Sequence, residues 1–515
     1  MQNRIAQLQL LAVYQSRLSI ELDVGSAQEA LNESLSNFQQ VQDALLKSGF
    51  RLQLAKCHLQ QAWIWQNAYE LGQPEALQYA LEELKATEDI RNGLRADMTI
   101  QKDEEVLTHK RALVAQSADL YELGIKLNLI QKNYGQAWDW AQRGKARAFL
   151  DLLDFEGHGA IPVAVIASVN ETSDGKELFD EEIKLLQECH NALPERRFPI
   201  RREISAIRHR MTSVPELYNL FLYRGVETLT AQRLPEMFGS LKKVVCVDWA
   251  FVDNSIWMFT IRPGGHPVAH ELTVTKAEVA SWIESNLRAE YMRQKRANER
   301  LRELDPLVAP LAKVSEEDEL LVFYPSGLLS SLPLHALKCE GRMLIDRNPV
   351  VYSSSLSVLH HCLLRRSDEV EDFDKMTIFG NPSCDRTEAE ESSKSLGKCF
   401  NVEPLIRESA TKTAFKNRSG NSSIFHYHGH AFFDPVDPLN LGLKLHGTAL
   451  EGSENGDLTA RELLTLNLVI ALFMMIACES AQQKNQSWRG AQRATSHAAP
   501  GRCEFYDRYS LEMLR

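Results

Sequence analysis

The sequence predicts an α + α/β protein: an N-terminal helical region, then an α/β domain built on a mostly parallel sheet. Two observations carry this. Up to about residue 156 apolar residues recur at spacings of three and four, and Pro74 is the only proline. From 241 onward short apolar runs rich in β-branched and aromatic residues alternate with turns and helical segments.

The helical part is read from Leu52, Ala55, Leu59, Ala62 and Trp63, then Ala76, Leu77, Ala80, Leu81 and Leu84. A loose echo runs through it: LDVGSAQEAL at 22–31, LGQPEALQYAL at 71–81 and NYGQAWDWAQRGKARAF at 133–149. Each places a glycine turn before a helix with small residues at spacing four, where a partner helix approaches closely. The pattern resembles irregular tetratricopeptide (TPR) repeats, although the echoes are too widely and unevenly spaced for units of about 34 residues. An unrelated helical bundle is the alternative. The resemblance implies a surface that holds a peptide or partner protein. Met1 opens straight into helical pattern without an N-cap residue, so the array at 1–156 is expected to lack earlier repeats.

Residues 157–240 read as a helical connector, with charged helices around ELFDEEIKLLQECH and ERRFPIRREISAIRHRM. The basic run ERRFPIRR reads as a solvated helix end rather than a binding patch. At 241–484 the period shortens. KKVVCVDWAFV, SIWMFTI and VAHELTV, split by Asp253-Asn254 and Pro263-Gly264-Gly265, predict a meander. A charged helix is predicted from about Lys276 to Leu304. Buried strands follow at ELLVFYPSG (319–327), KMTIFGNPS (375–383), SSIFHYHGH (422–430) and LNLVIALFMMIACES (466–480).

Composition excludes several classes. Hydrophobic residues at 44% and charged residues at 25% are globular values, and the length suits about three domains. The net charge of −11 argues against a nucleic-acid binder, which needs concentrated Lys and Arg. The most apolar stretch, Leu468 to Cys478, is short of the roughly 20 residues of a membrane span, and the N-terminus makes no signal peptide. Nine cysteines without CxxC pairing suggest reduced thiols in a cytoplasmic setting.

Functional groups of parallel sheets collect at the carboxyl ends of strands, and two strands here end in reactive residues. Alternation along Ile424–His430 puts His426, His428 and His430 on one face and Phe425 and Tyr427 on the other. Cys478 stands where a very apolar strand stops, about 50 residues after His428, the separation of histidine and cysteine in caspases. Such a cysteine serves as nucleophile, with the histidine raising its thiolate fraction and protonating the leaving amine. Gly429, lacking a Cβ, lets a backbone amide approach a developing oxyanion. A strand-end cysteine is also a common packing residue. Three alternate histidines can bind metal, but HxHxH here lacks the HxHxDH form and no neighbouring Cys, His or Asp set completes a site.

Several blocks in order resemble the CHAT domain, a caspase-like cysteine peptidase fold found beside TPR arrays and related to separase. They are LVFYPSGLLSSLPLHAL (321–337), PVVYSSSLSVLHH (349–361), TIFGNPS (377–383), ATKTAF (410–415), IFHYHGHAFFDP (424–435), LTARELLTLNL (458–468) and MIACESAQ (475–482). By this resemblance His428 matches the catalytic histidine and Cys478 the nucleophile, with the backbone amides of Gly429 and Cys478 as the oxyanion hole. His426 and His430 take no assigned role beyond tuning or packing. The resemblance implies a cysteine endopeptidase that cuts a protein recruited by the helices, with no cofactor and no metal. An inactive scaffold or adaptor of the same architecture is the other expectation. Asp434 and Asp437 are candidates for P1 selection only by nearness to the histidine strand.

The tail, 485–515, has no apolar periodicity. Read one nucleotide later, its permitted codons encode AGEEPRGQHPTLLQAGASSMIGTLWKC, which is similar to the family's continuation past the cysteine. The tail is therefore expected to be out of frame from about 484–488, leaving the chain as written without part of its substrate pocket.

Overall fold

The computed structural model describes residues 24–48, 50–98, 118–145, 163–223, 229–239, 241, 243–287, 297–364, 375–432, 440–447, 456–464, 466, 468, 470 and 472–478. The N-terminal region is helical, as its periodicity predicts. It comprises α1 (Val24–Ser48), α2 (Arg51–Glu70), α3 (Ala76–Met98), α4 (Ala118–Ile130) and α5 (Tyr134–Gly144). Gly72 makes the turn after α2 with φ +94°, a conformation that only a residue without Cβ adopts easily. Asn133 caps α5 by accepting the Gln136 N–H. A Cβ on Gly124 of α4 would lie 2.4 Å from the Trp140 indole of α5, so these helices can meet only because position 124 is empty. The connector forms α6 (Val163–Val169), α7 (Ser173–Asn191) and α8 (Pro194–Met211), packed around Val165, Phe179, Ile207 and Met211. The run ERRFPIRR falls within α8.

The α/β half carries two main sheets rather than the single one the alternation suggests. The first has the order β3-β2-β1-β4-β7. Here β1 (Val244–Val252), β2 (Ser255–Ile261) and β3 (Val268–Glu271) form the expected antiparallel meander. Parallel to β1 run β4 (Leu320–Tyr324) and β7 (Val350–Tyr352). Between them β5 (Lys338–Cys339) and β6 (Arg342–Met343) make a separate small hairpin. The charged helix after the meander, α9, is described over Lys276–Asn286 and is held by a Thr275–Glu278 capping box. It does not continue to Leu304. Leu304 itself lies in a 3₁₀ segment, Arg302–Leu307, which contains Pro306 and follows a short helix at Ala297–Leu301.

Strand alternation gives the first sheet two apolar faces. Val245, Val247, Trp249, Leu321 and Phe323 pack with Trp282, Leu304 and Leu307. Cys246, Ala250, Phe259, Val322 and Tyr324 pack directly against Leu120, Leu123, Trp138 and Ala141 of the helical region. The helices thus form one layer of the α/β core.

A buried polar knot crosses that boundary. The Lys145 ammonium, just past α5, donates to the Asp248 carboxylate of β1 and to the Tyr324 carbonyl at the end of β4. Gln142 of α5 donates to Asp248 at 2.6 Å and accepts the Leu356 N–H at 2.9 Å, at the start of α10 (Leu356–Leu364). Burial pulls both charges toward neutrality, raising the Asp248 carboxyl and lowering the Lys145 ammonium, and each opposes that shift in the other.

The second sheet has the order β12-β11-β10-β8-β9, with β13 also on β10. Its parallel part is β9 (Leu405–Ile406), β8 (Met376–Gly380), β10 (Ile424–Phe432) and β13 (Leu472–Cys478). At the carboxyl end of β10, β11 (Gly442–Lys444) and β12 (Asp457–Thr459) turn antiparallel. One face packs Phe379, Phe425, Tyr427 and Leu443 on Phe415 of α12 (Lys412–Ser419). The other packs Met376, Ile378 and Ile424 on Leu396 of α11 (Thr387–Phe400). No described helix is long and apolar enough to cross a membrane.

Removing one partner of a buried pair strands the other charge, at a cost of about 3–5 kcal/mol. Asp248→Ala is therefore expected to lower stability by about 3 kcal/mol in denaturant unfolding, and the double change Lys145→Met with Asp248→Leu to recover most of it. Equal losses in the single and double variants would contradict this account of the knot.

Candidate active site

The candidate residues lie toward the carboxyl ends of β8, β10 and β13. The run IFHYHGH folds as a strand because its alternate residues suit two different faces. Phe425 and Tyr427 enter the aromatic core, where Phe425 stacks on Phe473 with ring centroids 5.2 Å apart. Ile424 lies on the opposite face among Met376 and Ile378, and His426 and His428 follow it at the next two positions of that period.

The three histidines differ in surroundings. His426 and His428 are buried at 5% and 8% exposure, with rings nearly perpendicular and centroids 6.4 Å apart. Neither ring nitrogen of His426 has a hydrogen-bond partner. Burial, and secondarily His428, lower its pKa to about 4, so it is neutral at physiological pH. His430 is half-buried and engaged: its Nε2 lies 3.0 Å from Asp385 Oδ2 and 3.1 Å from Arg386 Nε. Burial alone would raise the Asp385 carboxyl, but the Ser383 hydroxyl and His430 outweigh it and hold it below the usual range.

Cys478 is the last residue of β13, whose parallel register pairs His428 with Ile476, Gly429 with Ala477 and His430 with Cys478. The sequence-predicted nucleophile and base thus fall on adjacent strands, two residues apart in register. Gly429 lies between them and must be glycine. A Cβ there would sit 2.6 Å from Tyr427 Oη and 3.0 Å from Pro382 Cδ. Tyr427 Oη is fixed 2.7 Å from the carbonyl oxygens of both His430 and Lys444. Asp434 and Asp437 lie outside the described residues, as does the tail beyond 478.

Sequence reasoning assigned no role to the turn that wraps this strand end, Asn381–Arg386. The signal was present in TIFGNPS, since Asn-Pro after an apolar strand marks a turn. Asn381 takes a left-handed conformation, φ 48°, and donates its N–H to the His428 carbonyl at 2.9 Å. In the same turn the Cys384 thiol lies 3.9 Å from His446 Nδ1. Burial, and then the nearby Glu408 carboxylate, push that thiol up, which opposes thiolate formation. Of the other described thiols, Cys57, Cys189, Cys246 and Cys339 are buried, and burial pushes Cys57 and Cys246 up to about 12. Among the described residues no group of three His, Cys, Asp or Glu side chains is arranged to hold a metal ion.

The family model of the CHAT domain matches residues 298–498. The chain carries a CHAT domain. The match takes in both histidine and cysteine strands, the Asn381–Arg386 turn, and β4 and β7 of the first sheet. It begins later than the expected boundary at 241 and ends later than the one at 484, so β1–β3 lie before the CHAT match. No curated protein matches the chain.

The His426 environment sets a pH dependence. A histidine that is neutral when folded and titrates near 6.5 when unfolded takes up its proton preferentially in the unfolded chain. Its contribution is complete above the unfolded value and is lost as pH falls from 6.5 toward about 4. That span corresponds to about 3 kcal/mol. Unfolding midpoints measured between pH 7.5 and 4 should fall steeply for the native protein and less so for His426→Leu. Parallel curves would show that His426 does not carry the effect.

Proposed function

We propose that this CHAT domain is a cysteine endopeptidase with Cys478 as nucleophile and His428 as general base and acid. The observation that carries the reading is the strand register, which sets Cys478 on β13 beside the His428-Gly429-His430 end of β10, within the matched region. The Cys478 thiolate attacks the scissile carbonyl carbon, and the carbonyl oxygen becomes an oxyanion, a role that the family resemblance gives to the Gly429 and Cys478 amides, which in the parallel register face the Ile476 and Gly429 carbonyls. Collapse of this intermediate breaks the C–N bond, and His428 delivers its proton to the departing amine. Water, deprotonated by the same histidine, then cleaves the thioester and restores the thiol. His426, neutral and buried one pleat below, is a packing and tuning residue.

The helical region serves in this reading as a TPR-like surface that recruits the protein substrate, and an intracellular, reducing setting keeps Cys478 as a thiol. Its packing on the first sheet supports a recruiting layer fixed to the catalytic half.

A panel of peptidyl acyloxymethyl ketones differing at P1 tests the assignment, because such probes alkylate a thiolate only from a formed substrate site. At least one should label the native protein at Cys478, and Cys478→Ala should abolish labelling. His428→Ala should slow it by a factor of about 100 or more. If no probe labels the protein while partner binding to the helices persists, the chain is a scaffold of peptidase shape.

A further inference from the structure

The described residues leave one strand of the second sheet uncovered. Every residue of β8 is buried, as is β10 from Ile424 to Gly429. On β13, by contrast, Leu472 and Met475 are exposed at 46% and 40%, and Phe473, Met474, Ile476 and Ala477 are half-buried. Leu468, just before the strand, is exposed as well. The sheet thus leaves open the strand with the most apolar sequence, LFMMIAC.

Position explains this. Among the described residues β13 pairs with β10 alone. The Leu472 N–H donates to the Ser423 carbonyl at 3.1 Å, so the backbone groups of Leu472, Met474 and Ile476 face β10. Those of Phe473 and Met475, between them, face the outer edge. Inward packing is in place: Phe473 stacks on Phe425, and Met474 meets the cluster of Met376, Ile378 and Ile424. An outer neighbour would pair the edge and cover both faces of the strand in one step.

Natural edge strands carry a charge, a proline or a bulge that turns other strands away. Leu472–Cys478 has no charge, proline or glycine, which makes it a template for strand addition. Two occupants are always at hand, the rest of the same chain and the same strand of a second copy. Residues 479–515 hold no valine or isoleucine and no apolar run comparable to LFMMIA. A second copy supplies such a run. Set antiparallel about a twofold axis at Met474, it places Phe473 opposite Met475 and Leu472 opposite Ile476 on each side of the axis. The outward N–H and C=O groups of Phe473 then exchange bonds with those of Met475 in the other strand. Opposed residues share a face, so apolar rows meet apolar rows.

We propose that the outer edge of β13 is an interface between two copies of this chain, joined antiparallel through Phe473 and Met475 into one continuous sheet. Because the two strands run in opposite directions, their Cys478 ends lie at opposite ends of the interface. The inference is independent of the peptidase reading, since it uses the edge of the strand and not its chemistry.

Sedimentation and light scattering of the full chain at micromolar concentration test the interface. The native chain should be dimeric. Met475→Lys puts a charge on the edge at an exposed position and should raise the dissociation constant of the dimer by about tenfold or more, with the unfolding midpoint unchanged. Met474→Cys should cross-link two chains at residue 474 under mild oxidation, as read by peptide mass mapping, because the axis sets this position against itself. A native chain that is monomeric, or that forms assemblies larger than a dimer, overturns the proposal. So does a Met475→Lys chain that dimerises with native affinity. Should Met475→Lys fail to fold, the second variant decides, and a dimer without the cross-link at 474 overturns the proposal.

Discussion

The missing side chain at Gly429 is the condition on which the rest of the site depends. Tyr427 Oη and the Pro382 ring already occupy the space that a Cβ would need. Because that space is given up, the hydroxyl can reach the His430 and Lys444 carbonyls and the β8 turn can close over the strand end. Three chain segments therefore converge on one peptide unit. Without the glycine, β10 could still pair with β8 and β13, but the turn and the tyrosine could not both press on it. The precision of the site is in this sense a packing result, with hydrogen bonds setting its direction.

A similar economy joins the two halves of the molecule. Where α4 meets α5, Gly124 gives up its side chain so that Trp140 can approach, and Trp140 and Trp138 then belong to the core shared with the first sheet. The buried Lys145–Asp248 pair stands where β4 ends beside the middle of β1 and α5 stops. Apolar area supplies adhesion there, and the ion pair with Gln142 fixes the registration of the helices on the strands.

Much of this was legible in the sequence, for reasons tied to period. The recurrence at three and four from Leu52 to Leu84 marks helix, and α2 and α3 form there. Alternation from Ile424 to His430 separates an aromatic core face from a histidine face, and the fold keeps that division. What the sequence does not carry is which strands become neighbours. Two sheets and one sheet read alike when each strand is a short apolar run, because partner choice depends on contacts far apart in the chain. The Lys145–Asp248 pair was invisible for the same reason, since the two residues look like ordinary surface charges until the helices cover β1. The Asn381–Arg386 turn was half legible. Asn-Pro announced the turn, but only the three-dimensional contact with His428 gives it chemical meaning.

The packing of helices on the first sheet also separates two notions of a domain. Sequence similarity to the CHAT domain starts at residue 298, between β3 and β4 in the chain. Yet β4 hydrogen-bonds along β1, and the face it shares with β1 and β2 is covered in large part by residues before 298, among them Leu120, Trp138, Leu234 and Phe238. A fragment cut at the similarity boundary would leave β4 as a bare edge and uncover Val322 and Tyr324 to water. The portion of the chain held in common by descent is thus smaller than the portion that must fold together. Transplanting this CHAT domain onto another sequence would require taking its helices with it.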